Sequence, residues 1–116
     1  AGAKVWICKE VPNQIPDFRI TMAKALLQGK PTDVGISKSN HMKASQAEDK
    51  ILALPAENGA HIIDLSSALF TERGTSQLEV NGKSLYFDAT HLSKEGALFL
   101  KGLFTPIFKP NLAAGE

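Results

Sequence analysis

His61-Ile62-Ile63-Asp64-Leu65 is a short apolar run, and what stands on either side of it decides the fold class. Before it lies a helical pattern that carries Met42, Ala47, Ile51 and Leu54. That pattern opens near Ser39-Asn40-His41, is broken or restarted at Pro55, and ends near Asn58-Gly59. Further upstream, after Pro12, Pro16 and a capping Asp17, the segment from Phe18 to Gln28 places Phe18, Met22, Ala25 and Leu26 at helical spacing. Gly29 and Pro31 stop it. Val5-Trp6-Ile7-Cys8, closed by Val11-Pro12, is a second continuous run of strand formers and suits a strand buried on both faces. Strand, helix and strand thus recur in the order of a parallel α/β sheet.

Downstream the pattern changes. Leu78 and Val80 alternate on one side of Asn81-Gly82, and Leu85 and Phe87 on the other, which predicts an antiparallel hairpin with a two-residue turn. Its second strand runs into Asp88. After His91-Leu92, a Ser93 cap with Glu95 in the first turn opens a helix carrying Ala97, Leu98, Leu100, Leu103 and Phe104, which Pro106 should weaken or end. The tail from Asn111 to Glu116 is expected to fray.

The 116 residues, 43% hydrophobic, suit one compact domain that buries about two-thirds of its unfolded surface. Thirteen Lys and Arg against twelve Asp and Glu give a net charge of +1 with no basic stripe, so nucleic acid is not an expected partner. No apolar stretch approaches the roughly 20 residues of a bilayer span. Ala1-Gly2-Ala3-Lys4 leads straight into a strand-like run instead of a signal peptide's apolar region, so the chain as it stands is expected to be soluble. The single Cys8 excludes an internal disulfide and is expected to be a small buried hydrophobe.

Asp88 and His91 lie three apart between a strand end and a helix start, where short loops hold side chains over the edge of a sheet. In a serine hydrolase the histidine takes the nucleophile's proton, while a carboxylate fixes the imidazole tautomer and stabilises its charged form. The pair alone is a weak signal, since turn-capping aspartates and half-exposed histidines are common.

The wider string Leu85-Tyr86-Phe87-Asp88-Ala89-Thr90-His91-Leu92-Ser93-Lys94-Glu95-Gly96-Ala97 resembles the last sequence block of SGNH hydrolases, in which Asp-x-x-His precedes Leu-Ser and a Gly-Ala helix start. It is closest to the SGNH domains fused to membrane acyltransferases of the acyltransferase-three family. Val5 to Pro12 is similar to that family's later parallel strand ending in Val-Pro, and the Asp17 helix and the Ile63-Asp64 strand fall in the same order. The resemblance implies a partial three-layer α/β/α, flavodoxin-like sheet, with parallel strands, a β-hairpin and a C-terminal helix. It implies His91 as general base and Asp88 as its orienting acid, no cofactor, and acyl transfer or hydrolysis, O-acetylation above all, on a bacterial surface polysaccharide outside the cytoplasm.

The family's Gly-Asp-Ser nucleophile block and its oxyanion-hole glycine and asparagine blocks have no counterpart in this sequence. Ser66 and Ser67 follow Asp64-Leu65 without the preceding glycine, and Ser39 opens a helix without a strand-to-helix elbow. Residues 1–116 are therefore expected to be the C-terminal part of one SGNH-like domain, inactive alone. A preceding half-domain would supply the serine, and the parent protein would be anchored to a membrane. Two parallel strands plus a hairpin agree, because they would leave an uncovered sheet face and unpaired edges.

Two rivals stand beside this reading. Asp88, His91, His61 and His41 are zinc-ligand types, but no His-x-x-x-His or His-Glu pair occurs, and solvated or structural histidines are the default. A non-catalytic ligand-binding or interaction module would use Asp88 to satisfy turn donors and pack His91 on the following helix. Trp6 and Tyr86 are expected to be structural, and Leu92 to be the apolar plug that fixes His91.

Overall fold

The computed structural model describes residues 3–31 and 33–108. The tail for which fraying is expected lies outside them.

Strand β1 (Trp6–Cys8) pairs in parallel with β2 (His61–Ile63), with Trp6 opposite His61 and Cys8 opposite Ile63. The right-handed economy of a parallel pair requires a long crossover. Three helices provide it: α1 (Phe18–Leu27), α2 (Lys38–Ala44) and α3 (Gln46–Glu57). A 3-10 turn at Leu65–Ala68 follows β2, and its first residue is preceded by Asp64, whose carboxylate accepts from the Ser66 N–H at 2.9 Å. The hairpin consists of β3 (Glu79–Val80) and β4 (Lys83–Ser84), joined by Asn81 and Gly82 at φ 51° and 78°. Positive φ at both central residues is the turn geometry that matches the twist of paired strands, and Asn-Gly tolerates it best. Then come α4 (Lys94–Phe99), a 3-10 turn at Lys101–Phe104 and α5 (Thr105–Phe108).

The core is one cluster in which Phe18 of α1, Ile63 of β2 and Leu65, Leu69 and Leu78 meet Leu85, Tyr86 and Leu100. The rings of Phe18 and Tyr86 pack edge to face with centroids 6.0 Å apart. This cluster joins the parallel unit to the hairpin unit and so fixes where the loop after β4 sits.

Several expectations require correction. Cys8 is exposed, and β1 is only half-buried, because its sheet has two strands among the described residues and lacks a second covering layer there. Leu26 and Leu27 of α1 and Ile51 and Leu54 of α3 are exposed for the same reason. Pro55 lies inside α3 without breaking it. The interruption falls instead at Ser45, which ends α2 and begins α3. Asp17 occupies the N-cap position of α1, yet its side chain makes no capping bond. The last helix is not continuous to Phe104, and Pro106 lies in the first turn of α5, where a missing N–H is tolerated.

Candidate active site

The loop after β4 is closed by its own backbone. Tyr86 bridges Leu92, and the Phe87 N–H donates to the His91 carbonyl at 2.8 Å, so residues 87 to 91 form a tight turn. Below the turn, α4 is seated by the Ser93 hydroxyl, which accepts from the Gly96 N–H at 3.1 Å and donates to the Ser84 carbonyl at 2.6 Å. Ser93 thus caps the helix as its sequence position predicts. Gly96 permits the close approach: a Cβ there would overlap the Leu85 carbonyl oxygen and press on Leu92 at 3.1 Å. Leu92 packs against the core and anchors the far end of the turn.

Within the turn, Asp88 Oδ1 accepts from the Thr90 N–H at 2.9 Å and the His91 N–H at 2.8 Å, which fixes the carboxylate's direction. His91 Nδ1 lies 2.9 Å from Asp88 Oδ1 and 3.0 Å from Oδ2. The Thr90 N–H, the His91 ring and the His91 N–H together hold the Asp88 carboxyl down at about 2, against burial acting weakly the other way. At neutral pH the group is an anion and can only accept, so His91 Nδ1 carries the proton. Nε2 of the neutral ring then presents its lone pair. The side chain of His91 is 74% exposed and that of Asp88 48%, so this nitrogen opens to the surface.

Two buried residues tie the loop to the end of β1. The Tyr86 hydroxyl donates to the Pro12 carbonyl at 2.7 Å, and burial pushes its ionisation up to about 12, which keeps it a donor. The Gln14 N–H donates to the Ala89 carbonyl at 2.7 Å, inside the Asp88–His91 turn. The Gln14 side chain, only 6% exposed, donates to Ser76 Oγ at 2.7 Å and accepts from the Ile36 N–H at 3.1 Å. No sequence pattern marks Gln14, because its partners lie 22 and 62 residues away. Tyr86 is structural as expected, but as a long-range tie and not as a hairpin surface residue.

The other candidates fall elsewhere. The buried Ser66 donates its hydroxyl to Asp64 at 2.5 Å and Ser67 donates to the Asp64 carbonyl at 3.0 Å, while Ser39 lies beside Ser37. None of these hydroxyls is bonded to His91. His61 stacks on Trp6 with ring centroids 4.4 Å apart, and His41 is buried against Phe70 at 5.6 Å, contrary to the solvated position expected for it. Among the described residues no three histidine, cysteine or carboxylate side chains gather as a metal site.

A parallel α/β crossover followed by a hairpin, with a histidine–carboxylate pair at the junction into a capped helix, defines an α/β domain with the acid–base half of a hydrolase centre. The chain belongs to the family of SGNH domains fused to AT3 domains, whose family model matches residues 1–106. It is accordingly part of an SGNH-type hydrolase or acyltransferase domain with a mixed α/β fold. No curated protein and no solved structure matches the chain. No helix among the described residues is long and apolar enough to cross a membrane.

Proposed function

We propose that the domain transfers or removes an acyl group, acetyl above all, at a carbohydrate hydroxyl through a covalent acyl-serine, on an extracytoplasmic surface polysaccharide. The observation that carries the reading is the contact of His91 Nδ1 with both oxygens of Asp88, which leaves Nε2 as the free base. His91 Nε2 removes the proton of a serine hydroxyl as the serine oxygen bonds to the acyl carbon. The imidazolium then returns that proton to the departing alkoxide. A sugar hydroxyl or water repeats the sequence in reverse to release the serine. Asp88 holds the productive tautomer and balances the charge that appears on His91. The serine, together with the oxyanion-hole glycine and asparagine, comes from a preceding part of the domain in a membrane-anchored parent.

The test is turnover of an aryl acetate by the whole protein before and after His91→Ala. A loss of about a thousandfold or more is expected. Activity kept within a few-fold would refute the assignment and favour a non-catalytic binding module.

A further inference from the structure

Lys9 follows β1 and Asp64 follows β2, so both stand at the carboxyl ends of the parallel strands. Ligands of open α/β sheets bind at that edge. Around the two residues opens a cavity of about 350 Å³, walled also by Lys38, His41, Asp49 and Phe70. It falls within the roughly 300–1,000 Å³ of small-molecule sites. A neighbouring cavity of about 120 Å³ shares His41 and Ser45 and reaches Val11 and Asn13, in the loop whose Gln14 is bonded to Ala89.

The polar groups of this wall are satisfied with one exception. Lys9 pairs with Asp49 at 2.5 Å, a bond that holds its ammonium above the usual range, and Ser66 donates to Asp64. The carboxyl of Asp64 is destabilised by burial, but the Ser66 hydroxyl and N–H and the charge of Lys9 outweigh this and hold it low. His41 is only 7% exposed and faces both cavities, and no hydrogen bond acts on its ring. Burial lowers its basicity, which favours the neutral ring with one nitrogen donating and the other accepting. A polar ring buried to this degree without a partner is destabilising unless something in the cavity bonds to it.

The wall also selects the kind of molecule. Two ammonium groups, Lys9 and Lys38, oppose two carboxylates, Asp49 and Asp64, so a fixed charge of either sign meets repulsion as well as attraction. Hydroxyl groups both donate and accept, and can serve lysines, carboxylates and both imidazole nitrogens together. Phe70 and Met42 add an apolar surface for a C–H face.

We propose that this cavity binds one neutral saccharide unit through His41, apart from the Asp88–His91 pair. The inference rests on the carbohydrate reading above and assigns the subsite that would hold the sugar.

The experiment is a titration of the 116-residue chain with methyl α-D-glucopyranoside, with glucuronate and glucosamine in parallel, read by the NMR signals of the His41 ring. Saturable shifts at His41 and at the Ser45 and Gln46 amides are expected with the neutral glycoside, and weaker binding of both charged sugars. His41→Phe and the surface change Lys38→Met should each weaken binding by about tenfold, as loss of one hydrogen bond to a charged or buried partner implies. Absence of saturable shifts at His41, unchanged binding in both variants, or preference for a charged sugar would overturn the inference. Turnover by the whole protein is measured separately. A silent titration beside His91-dependent turnover removes only the subsite, and binding without His91-dependent turnover removes only the acyl-transfer chemistry.

Discussion

Replacing Gly96 by alanine tests whether the close seating of α4 under the catalytic turn is real. An added Cβ would overlap the Leu85 carbonyl oxygen, the same oxygen that accepts from the Ser93 N–H at 3.0 Å, and would press on Leu92. The obstacle is backbone, so it cannot swing away. The cost belongs at the upper end of overpacking penalties, about 3 kcal/mol. Alanine's better helix propensity returns about 1 kcal/mol, leaving a net loss of about 2 kcal/mol. For a chain of this size that is a fall in Tm of about 8 °C. Gly102 is the internal control, because nothing lies within 4 Å of a Cβ built there. Gly102→Ala should be neutral or stabilising by up to about 1 kcal/mol. Thermal unfolding followed by circular dichroism gives both values. A Gly96→Ala protein that melts at or above the wild-type temperature, or two variants shifted alike, would refute the packing argument.

Other consequences follow from the same loop. Asp88→Asn should lower turnover of the whole protein by about ten-thousandfold, because an amide can donate to Nδ1 and select the wrong tautomer. Because the Asp88 carboxyl is held at about 2 in the folded chain against an ordinary 3.8, its contribution to stability is present above pH 4 and is lost as the pH falls toward 2. The gap in urea midpoint between wild type and Asp88→Asn should therefore close over that range. Ser93→Ala removes both the helix cap and the bond to Ser84 and should lower stability by about 1–2 kcal/mol in urea unfolding. Tyr86→Phe keeps the buried ring but frees the Pro12 carbonyl of one donor, so a loss of about 1 kcal/mol is expected from the same assay.

What the sequence makes legible is local. Asn81-Gly82 specifies its own turn, Ser93 its own cap, and Asp88 its own donors two and three residues on, and none of these depends on distant chain. The parallel pairing of β1 and β2 was readable from element order alone. Burial was not, since an apolar run such as Val5 to Cys8 states what a second layer could cover without stating whether one is there. Pro55 misled because α3 accommodates it within its last turn, where propensity had placed the break. His41 looked solvated beside polar neighbours, but the chain folds Phe70 against it from 29 positions away. Gln14 is the clearest failure: its role consists wholly of contacts with Ile36, Ser76 and Ala89, which no local pattern encodes.

Orientation and shielding come from different parts of such a site. Asp88 is aimed by two backbone N–H groups in its own turn, and that turn is clamped by Gln14, Tyr86 and Leu92, so the pair is pre-organised without being buried. With His91 three-quarters exposed, water competes for the imidazolium, and the attraction of Asp88 is screened. Charge stabilisation in acyl transfer is strong only where water is excluded. The part of the domain that brings the serine must therefore also cover this face, and the apolar Phe87, exposed beside the pair with Arg19 5.8 Å from its ring centroid, is the surface such a cover would meet. On the proposed mechanism, a free serine-bearing peptide supplied in solution should fail to restore turnover even at high concentration, because it would bring the nucleophile without the wall that makes His91 and Asp88 effective.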